Sequence, residues 1–463
     1  DLPFTIQLDS FRIAYYPGTE APADYISYIT YSLPGQKNVL LHEQISMNRI
    51  FTSQGFRFYQ SSFDDDGKGS WLTVNYDPWG TGVTYAGYIL LGLSMIWLLF
   101  SRSSDFRRLL NHPLLKKGGV FILFIFCLAG NMQAQKKLLP ALKRTQADSL
   151  AQEQVIYHDR VVPFNTLARD FIQKLTGEAS YKGLTPEQVI GGWLLYPEVW
   201  RNEPLIYIKN TELQHLLNLQ TPYARLTDLF DGSVYRLREH WQREQGQQNK
   251  LAKAIQETDE KVGLILMLEK GTFTHPLPTD GSVQPLSELE VKAELLYNRI
   301  PFSKILFMIN LSLGVLSFLL LLHNSLQRNI LSLKAKTISR TAGTFFSVAL
   351  YLAFIFHLAG YCLRWYIGGR IPLSNGYETM QFMALCILLI ACLLHRRFSF
   401  ILPFGFLLSG FALLVSYLGQ MNPQITPLMP VLVSPWLSIH VSLIMMSYAL
   451  LAFIMLNGIL ALC

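Results

Sequence analysis

The chain is poor in charge and in cysteine. Of its 463 residues only 15% are charged and five are cysteine, whereas a typical globular domain carries about 25% charged residues. That composition excludes a disordered chain and a small disulfide-stapled scaffold. Cys127, Cys362, Cys386, Cys392 and Cys463 form no C-x-x-C pair, and all sit in or beside apolar runs. There a thiol reads as a small buried hydrophobe, so any thiol chemistry is expected from a partner. Also missing are a phosphate-binding glycine loop, a serine nucleophile elbow, the zinc motif H-E-x-x-H and the haem-attachment motif C-x-x-C-H. Their absence argues against the enzyme classes built on them, and against a haem covalently attached to this chain.

What is abundant is apolar surface. Half of the residues are hydrophobic and the mean hydropathy is +0.25, with the apolar positions gathered into long blocks. This describes a membrane protein. The net charge of +7 is unevenly placed. Residues 1–81 hold 5 basic and 9 acidic side chains, and residues 133–302 hold 20 and 21. The short segments 101–118, 324–341 and 395–397 between apolar runs carry a net +10. Positive charge in short loops beside apolar spans is the positive-inside signature; it is not a nucleic-acid-binding face.

Along the chain, residues 1–81 alternate apolar and polar positions in PFTIQLDSFRIAYY, DYISYITYSL and FRFYQSSF. Turns are expected at Pro-Gly 17–18, Pro-Gly 34–35 and Asp-Asp-Gly 65–67. The pattern predicts a small β sandwich or barrel. Residues 82–132 hold two expected membrane helices, 82–100 and 120–132, around a basic loop. Lys116-Lys117, the apolar stretch and NMQAQ also resemble a signal peptide, but the internal position favours a spanning helix. Residues 133–302 predict a mainly helical domain, with helix starts at Asp148, Asn165 and Ser287. Residues 303–463 crowd five further spans together, at 303–323, 343–363, 377–394, 398–418 and 437–463. The fold class expected is thus a multi-pass α-helical membrane protein of about seven spans, with an N-terminal β domain and an inserted helical domain outside. With the basic loops inside, 364–376 and 419–436 also fall outside. The chain opens on Asp1 and stops at Cys463 within an apolar run, so a segment of a longer polypeptide is expected.

His440 is the first candidate for chemistry. It lies near the outer end of the helix begun by SPWLSIHVSLIMMSYALLAF, with Trp436 four residues earlier on the same face. An ionisable side chain at membrane depth is a functional-site hypothesis, and imidazole is a common haem ligand. The alternative is an interfacial histidine bonded to a carbonyl, with Trp436 an ordinary belt aromatic. The second candidate is RWYIGGRIPLSNGYETM, residues 364–380. Either Ser374 or Asn375 caps a helix whose positive end Glu378 favours, or Arg364 and Arg370 pair with carboxylates of a ligand. His357 reads as hydrogen-bonded within the bundle more readily than as a metal ligand. His42, His158, His215, His240 and His275 read as surface or structural.

These residues resemble a known family. PFTIQLDSFRIAYYPGT and FRFYQSSFDDDGKGSWLTVNYDPWG, followed by a span, look like the end of a ResB/CcsB protein. GGRIPLSNGYET and SPWLSIHVSLIMMSYALL resemble the first half of a CcsA protein of the cytochrome c assembly family. Together they resemble the fused CcsBA synthetases of system II, over residues 1–100 and about 340–463; residues 133–302 resemble nothing known to us. The resemblance implies a haem lyase of the bacterial cytoplasmic membrane. Such a protein exports haem b and presents it to the C-x-x-C-H segment of apocytochrome c. It implies a thioredoxin-like, thiol-reducing partner of ResA/CcsX type, contact with membrane lipids and no nucleic acid. In the family two external histidines flank a tryptophan-rich segment, and His440 matches the first; Trp436, Arg364 and Arg370 are weaker cofactor-binding candidates. The tryptophan-rich segment and the second external histidine are expected beyond Cys463, and two intramembrane histidines before Asp1 and after Cys463. The segment by itself is therefore expected to be inactive. The competing readings are a transporter of haem or another hydrophobic cofactor without attachment activity, and a non-catalytic assembly scaffold of the envelope.

Overall fold

The alternation in the first 81 residues produces six antiparallel strands: β1 (Ile6–Tyr15), β2 (Pro22–Ser32), β3 (Leu40–Ser46), β4 (Phe51–Ser53), β5 (Phe56–Phe63) and β6 (Ser70–Tyr76). They form two meanders, β1-β2-β3 and β4-β5-β6. Phe4, Ile29, Ile45, Phe51 and Phe58 are the buried core they share. The Ser27 hydroxyl donates to Gln60 Oε1 at 2.6 Å, tying β2 to β5. A sandwich results. The β4–β5 hairpin turns on Gln54 and Gly55, both at positive φ, the conformation a two-residue hairpin requires. Of the expected turns, 17–18 and 34–35 lie outside the described residues; at the third, Gly67 donates its N–H to the Asp64 carbonyl at 2.8 Å.

The structure is a computed structural model. It describes residues 2–15, 22–32, 40–64, 66–100, 139–232, 234–238, 250–278, 283–326, 333–398, 400–418, 423–428 and 433–462, with Met421 and Pro430. Two compact units are present: residues up to 126 together with 301–463, and residues 127–300. In the first, α1 (Pro78–Phe100) follows the sandwich directly. Asp77 Oδ1 accepts the Gly80 N–H at 2.8 Å, and Pro78 opens the helix where its missing N–H costs nothing. The second expected span, 120–132, lies outside the described residues.

The 127–300 unit holds α2 (Arg144–Leu150), β7 (Gln154–Tyr157), β8 (Arg160–Pro163), α3 (Phe164–Thr176), α4 (Pro186–Leu195), α5 (Pro197–Trp200), α6 (Thr211–Leu216), α7 (Lys250–Glu269) and α8 (Glu288–Arg299), with short strand pairs between. Its core packs Leu167, Ile172, Trp193, Trp200, Leu205 and Ile265. Two expected helix starts shift. Asp148 lies inside α2, and the residues after it form β7, turning through His158 and Asp159 at positive φ into β8. Pairing of Val155 with Val162 and Ile156 with Val161 overrides the local helical spacing. Asn165 falls in the first turn of α3, behind Pro163. Ser287 does cap α8, in a reciprocal capping box with Glu290.

The remaining helices are α9 (Phe302–Leu326), α10 (Leu333–Gly368), α11 (Gly376–Leu394), α12 (Ile401–Leu418) and α13 (Pro435–Leu462). Among the described residues, five helices are long and apolar enough to cross a membrane, and these are the five. Small residues bring α9 and α12 together. A Cβ placed on Gly314 would stand 2.8 Å from Leu407 Cγ, and one on Gly410 the same distance from Leu311 Cγ. Between them Asn310 Nδ2 donates to Ser409 Oγ at 3.0 Å. Close backbones and an inter-helix hydrogen bond replace the hydrophobic drive that helices lack in lipid. The helix α10 runs to Gly368, past the expected end at 363, so Arg364 belongs to its last turns and not to a loop.

Candidate functional site

At one end of the bundle the C-terminus of α10, the N-terminus of α11 and the connection from α12 to α13 converge on Glu378. Gly369, at φ +63°, ends α10. Asn375 then caps α11, its Oδ1 accepting the Glu378 N–H at 2.9 Å. Ser374 donates both its N–H and its hydroxyl to Glu378 Oε2, each at 2.8 Å. These bonds turn the carboxylate back over the positive end of the helix, where it is favoured.

Both arginines meet that carboxylate. Arg364 donates from Nε and Nη2 to Glu378 Oε1 at 3.0 and 2.9 Å. Arg370 Nη1 donates to Oε2 at 3.0 Å. The side chains of Arg364 and Glu378 are 3% and 1% exposed, and the Arg364 guanidinium lies 5.1 Å from the Tyr377 ring centroid. Burying three charges is costly unless every donor and acceptor is used. The remaining donors take main-chain carbonyls of the α12–α13 connection. Arg364 Nη1 reaches Pro423 at 2.7 Å, its Nη2 reaches Gln424 at 3.0 Å, and Arg370 Nη2 reaches Thr426 at 3.0 Å. Arg370 Nε is buried without a partner among the described residues. Farther along the connection, Asn48 of the sandwich donates to the Pro430 carbonyl at 2.8 Å. The structure thus directs the guanidinium groups inward; of the two capping alternatives Asn375 is the N-cap, while Ser374 donates to Glu378. Arg370 Nε, being enclosed, is not open to a ligand carboxylate.

His440 stands in the second turn of α13, exposed and with no hydrogen-bond partner among the described residues. Trp436 is 79% exposed, one turn earlier on the same face. No carbonyl bond to His440 is present among the described residues. Lower on α13, Ala449 and Phe453 are buried against the bundle. His357 is buried, and its Nε2 donates to the Gln381 carbonyl at 2.9 Å. No group of three or more metal-ligating side chains occurs among the described residues. His42 pairs with Thr30 at 2.8 Å. Desolvation lowers the His158 imidazole from its ordinary value, although the side chain stands largely exposed in the turn between β7 and β8. His240 lies outside the described residues. Sequence reasoning missed Asn48 and the carbonyls of residues 423–426. Neither has a local signal, since main-chain oxygens are the same in every residue.

Comparison with known proteins places these features. Residues 1–84 match the ResB-like family and residues 373–463 match the Cytochrome C assembly protein family. The chain therefore joins a ResB-like segment to a cytochrome c assembly segment in one polypeptide. That pairing supports a CcsBA-like reading, and Glu378 and His440 both lie in the cytochrome c assembly segment. It is similar to Protein NrfI of Wolinella succinogenes, 31% identical over 96% of this chain and 57% of that protein. That alignment runs through most of the inserted domain, which neither family match reaches. The cytochrome c biogenesis proteins CcsA of Prochlorococcus marinus and Chlamydomonas reinhardtii are 38% and 36% identical, each over 19% of this chain and 30% and 27% of their own lengths. The chain spans little more than half the length of NrfI and about a third or less of these CcsA proteins.

Proposed function

We propose that this chain is the haem-presenting portion of a cytochrome c biogenesis protein in the bacterial cytoplasmic membrane, with the sandwich and the inserted domain on the outer side. The observation that carries the proposal is the exposed, unpartnered imidazole of His440, on a membrane-length helix within the cytochrome c assembly segment. Haem b is the substrate. A flat apolar macrocycle with two propionates suits a site at the outer membrane face. His440 supplies one axial ligand, which fixes the orientation of the iron and its potential. Trp436, one turn away, offers an exposed aromatic face to the macrocycle. Arg364 and Arg370 act through Glu378 and the carbonyls they hold.

The C-x-x-C-H segment of apocytochrome c is the second reactant. Each cysteine S–H adds across a haem vinyl group, the sulfur to one carbon and the hydrogen to its neighbour, so attachment itself needs no oxidant. The protein's part is to hold the two reactants together, a proximity effect. The cysteines must arrive reduced. The chain has no C-x-x-C pair, so a thioredoxin-like partner supplies the reducing equivalents.

The test is the reduced visible spectrum of the purified protein beside its His440→Gly variant. The expected result is a haem α band that is diminished in the variant and restored by imidazole. Identical bands in both would remove His440 as the ligand. Haem binding without capture of a C-x-x-C-H peptide would indicate export without attachment. A correctly inserted protein with no haem at all would indicate a scaffold.

A further inference from the structure

The α12–α13 connection carries no charged side chain in residues 419–436, so its own side chains form no ion pair that could anchor it. It is held by its main chain. Three carbonyls, of Pro423, Gln424 and Thr426, accept from Arg364 and Arg370, both pinned by Glu378. A fourth, of Pro430, accepts from Asn48 in the turn between β3 and β4. Helix α13 begins five residues after this last tie. Its lower half is packed at Ala449 and Phe453, while Trp436, Ile439 and Leu443 in its upper half are half or more exposed. One face of the upper half is thus left exposed, while Leu437, Ser438 and Val441 beside it are half-buried.

We propose that Arg364, Arg370, Glu378 and Asn48 form a two-point clamp on the α12–α13 connection, and that this clamp positions Trp436 and His440. Glu378 and Asn48 are positioning residues: they reach the substrate only through the connection. Asn48 brings the ResB-like sandwich into the geometry of a site that lies in the cytochrome c assembly segment. This couples the two segments of the fused chain through one hydrogen bond. Because the clamp grips carbonyl oxygens, it tolerates side-chain change in the connection but not loss of the donors. A lysine in place of Arg364 would offer one compact ammonium where the planar fork reaches a carboxylate and two carbonyls. That the clamp serves haem ligation rests on the assignment of His440 made above.

The test uses detergent-purified protein labelled with 5-fluorotryptophan, comparing wild type with Glu378→Gln and Asn48→Ala. The Trp436 fluorine resonance, assigned through Trp436→Phe, is expected to shift or broaden in both variants. Resonances of Trp193 and Trp200 in the other unit remain in place and report folding. The reduced haem band is expected to fall at least threefold in both variants and to recover with imidazole. An unchanged Trp436 resonance in both variants overturns the clamp. A shifted resonance with a wild-type haem band overturns the positioning of His440. If Glu378→Gln alters every tryptophan signal, it has not folded, and Asn48→Ala alone decides. If His440→Gly keeps the wild-type band, the ligand assignment fails and the fluorine signal still decides the clamp.

Discussion

Arg364 and Glu378 are separated by 14 positions in the sequence, yet their side chains meet at 2.9 Å with almost no exposure of either. One comes from the end of α10 and the other from the start of α11. The pair closes the turn between two membrane-length helices and gives a third segment, the α12–α13 connection, something to bind.

Removing one member of such a pair leaves the other buried and under-compensated. Arg364→Met is expected to destabilise the bundle by about 3–5 kcal/mol, since Glu378 loses one of its two arginine partners and two carbonyls lose their donor. Thermal unfolding in detergent, followed by circular dichroism, measures this. An unchanged midpoint would contradict it.

The contact between α9 and α12 admits no added side chain at its closest points. Gly410→Val forces its branched side chain against Leu311 and is expected to cost about 1–3 kcal/mol through overpacking. Gly458, with open space around it, serves as the control: Gly458→Val should leave the midpoint near that of the wild type.

In the 127–300 unit, Arg201 hydrogen bonds hold the Glu269 carboxyl below its usual range, against the opposing effect of burial. Trp193 Nε1 adds a bond at 3.1 Å. A carboxylate with a depressed folded pKa contributes stability above its unfolded value, about 4.3. That contribution is lost as pH falls through the lower folded value. Glu269→Gln should therefore lower stability at neutral pH and flatten its decline below about pH 5. Tryptophan fluorescence can follow both effects, because Trp193 is buried against the same carboxylate. Parallel pH curves for variant and wild type would count against the assignment.

At α8, Ser287 accepts the Glu290 N–H at 3.3 Å, and its own N–H and hydroxyl donate to the Glu290 carboxylate at 2.8 and 2.6 Å. Ser287→Ala is expected to cost about 1 kcal/mol. Ser287→Asp keeps a capping oxygen at that position and should recover most of it. Denaturant unfolding of the two variants side by side provides the measurement.

Much of the architecture was legible before any coordinates. The period-2 alternation around Ile29 and Phe58 marked their strands, because one face of each strand meets a core and the other meets water. The long apolar runs marked α1 and α9–α13, since a bilayer demands about twenty apolar residues. Ser287 was readable as a cap because the capping oxygen and Glu290 are local to one turn. The helix expected from Asp148 was not found, because the choice between helix and strand in Gln154–Tyr157 rests with β8, a partner that local spacing does not include.

The site divides along the same line. His440 and Trp436 stand on one helical face by spacing alone, and the density of apolar residues around them places that helix in a membrane. These properties depend on near neighbours in the chain and are written directly in the residue order. Which partner Arg364 and Arg370 choose is different in kind. The choice depends on where α10, α11, the α12–α13 connection and the sandwich turn at Asn48 come to rest. Three carbonyls accept from the arginines and a fourth from Asn48, and every residue carries one. Only the packing of the chain selects the carbonyls of Pro423, Gln424, Thr426 and Pro430 from all the rest.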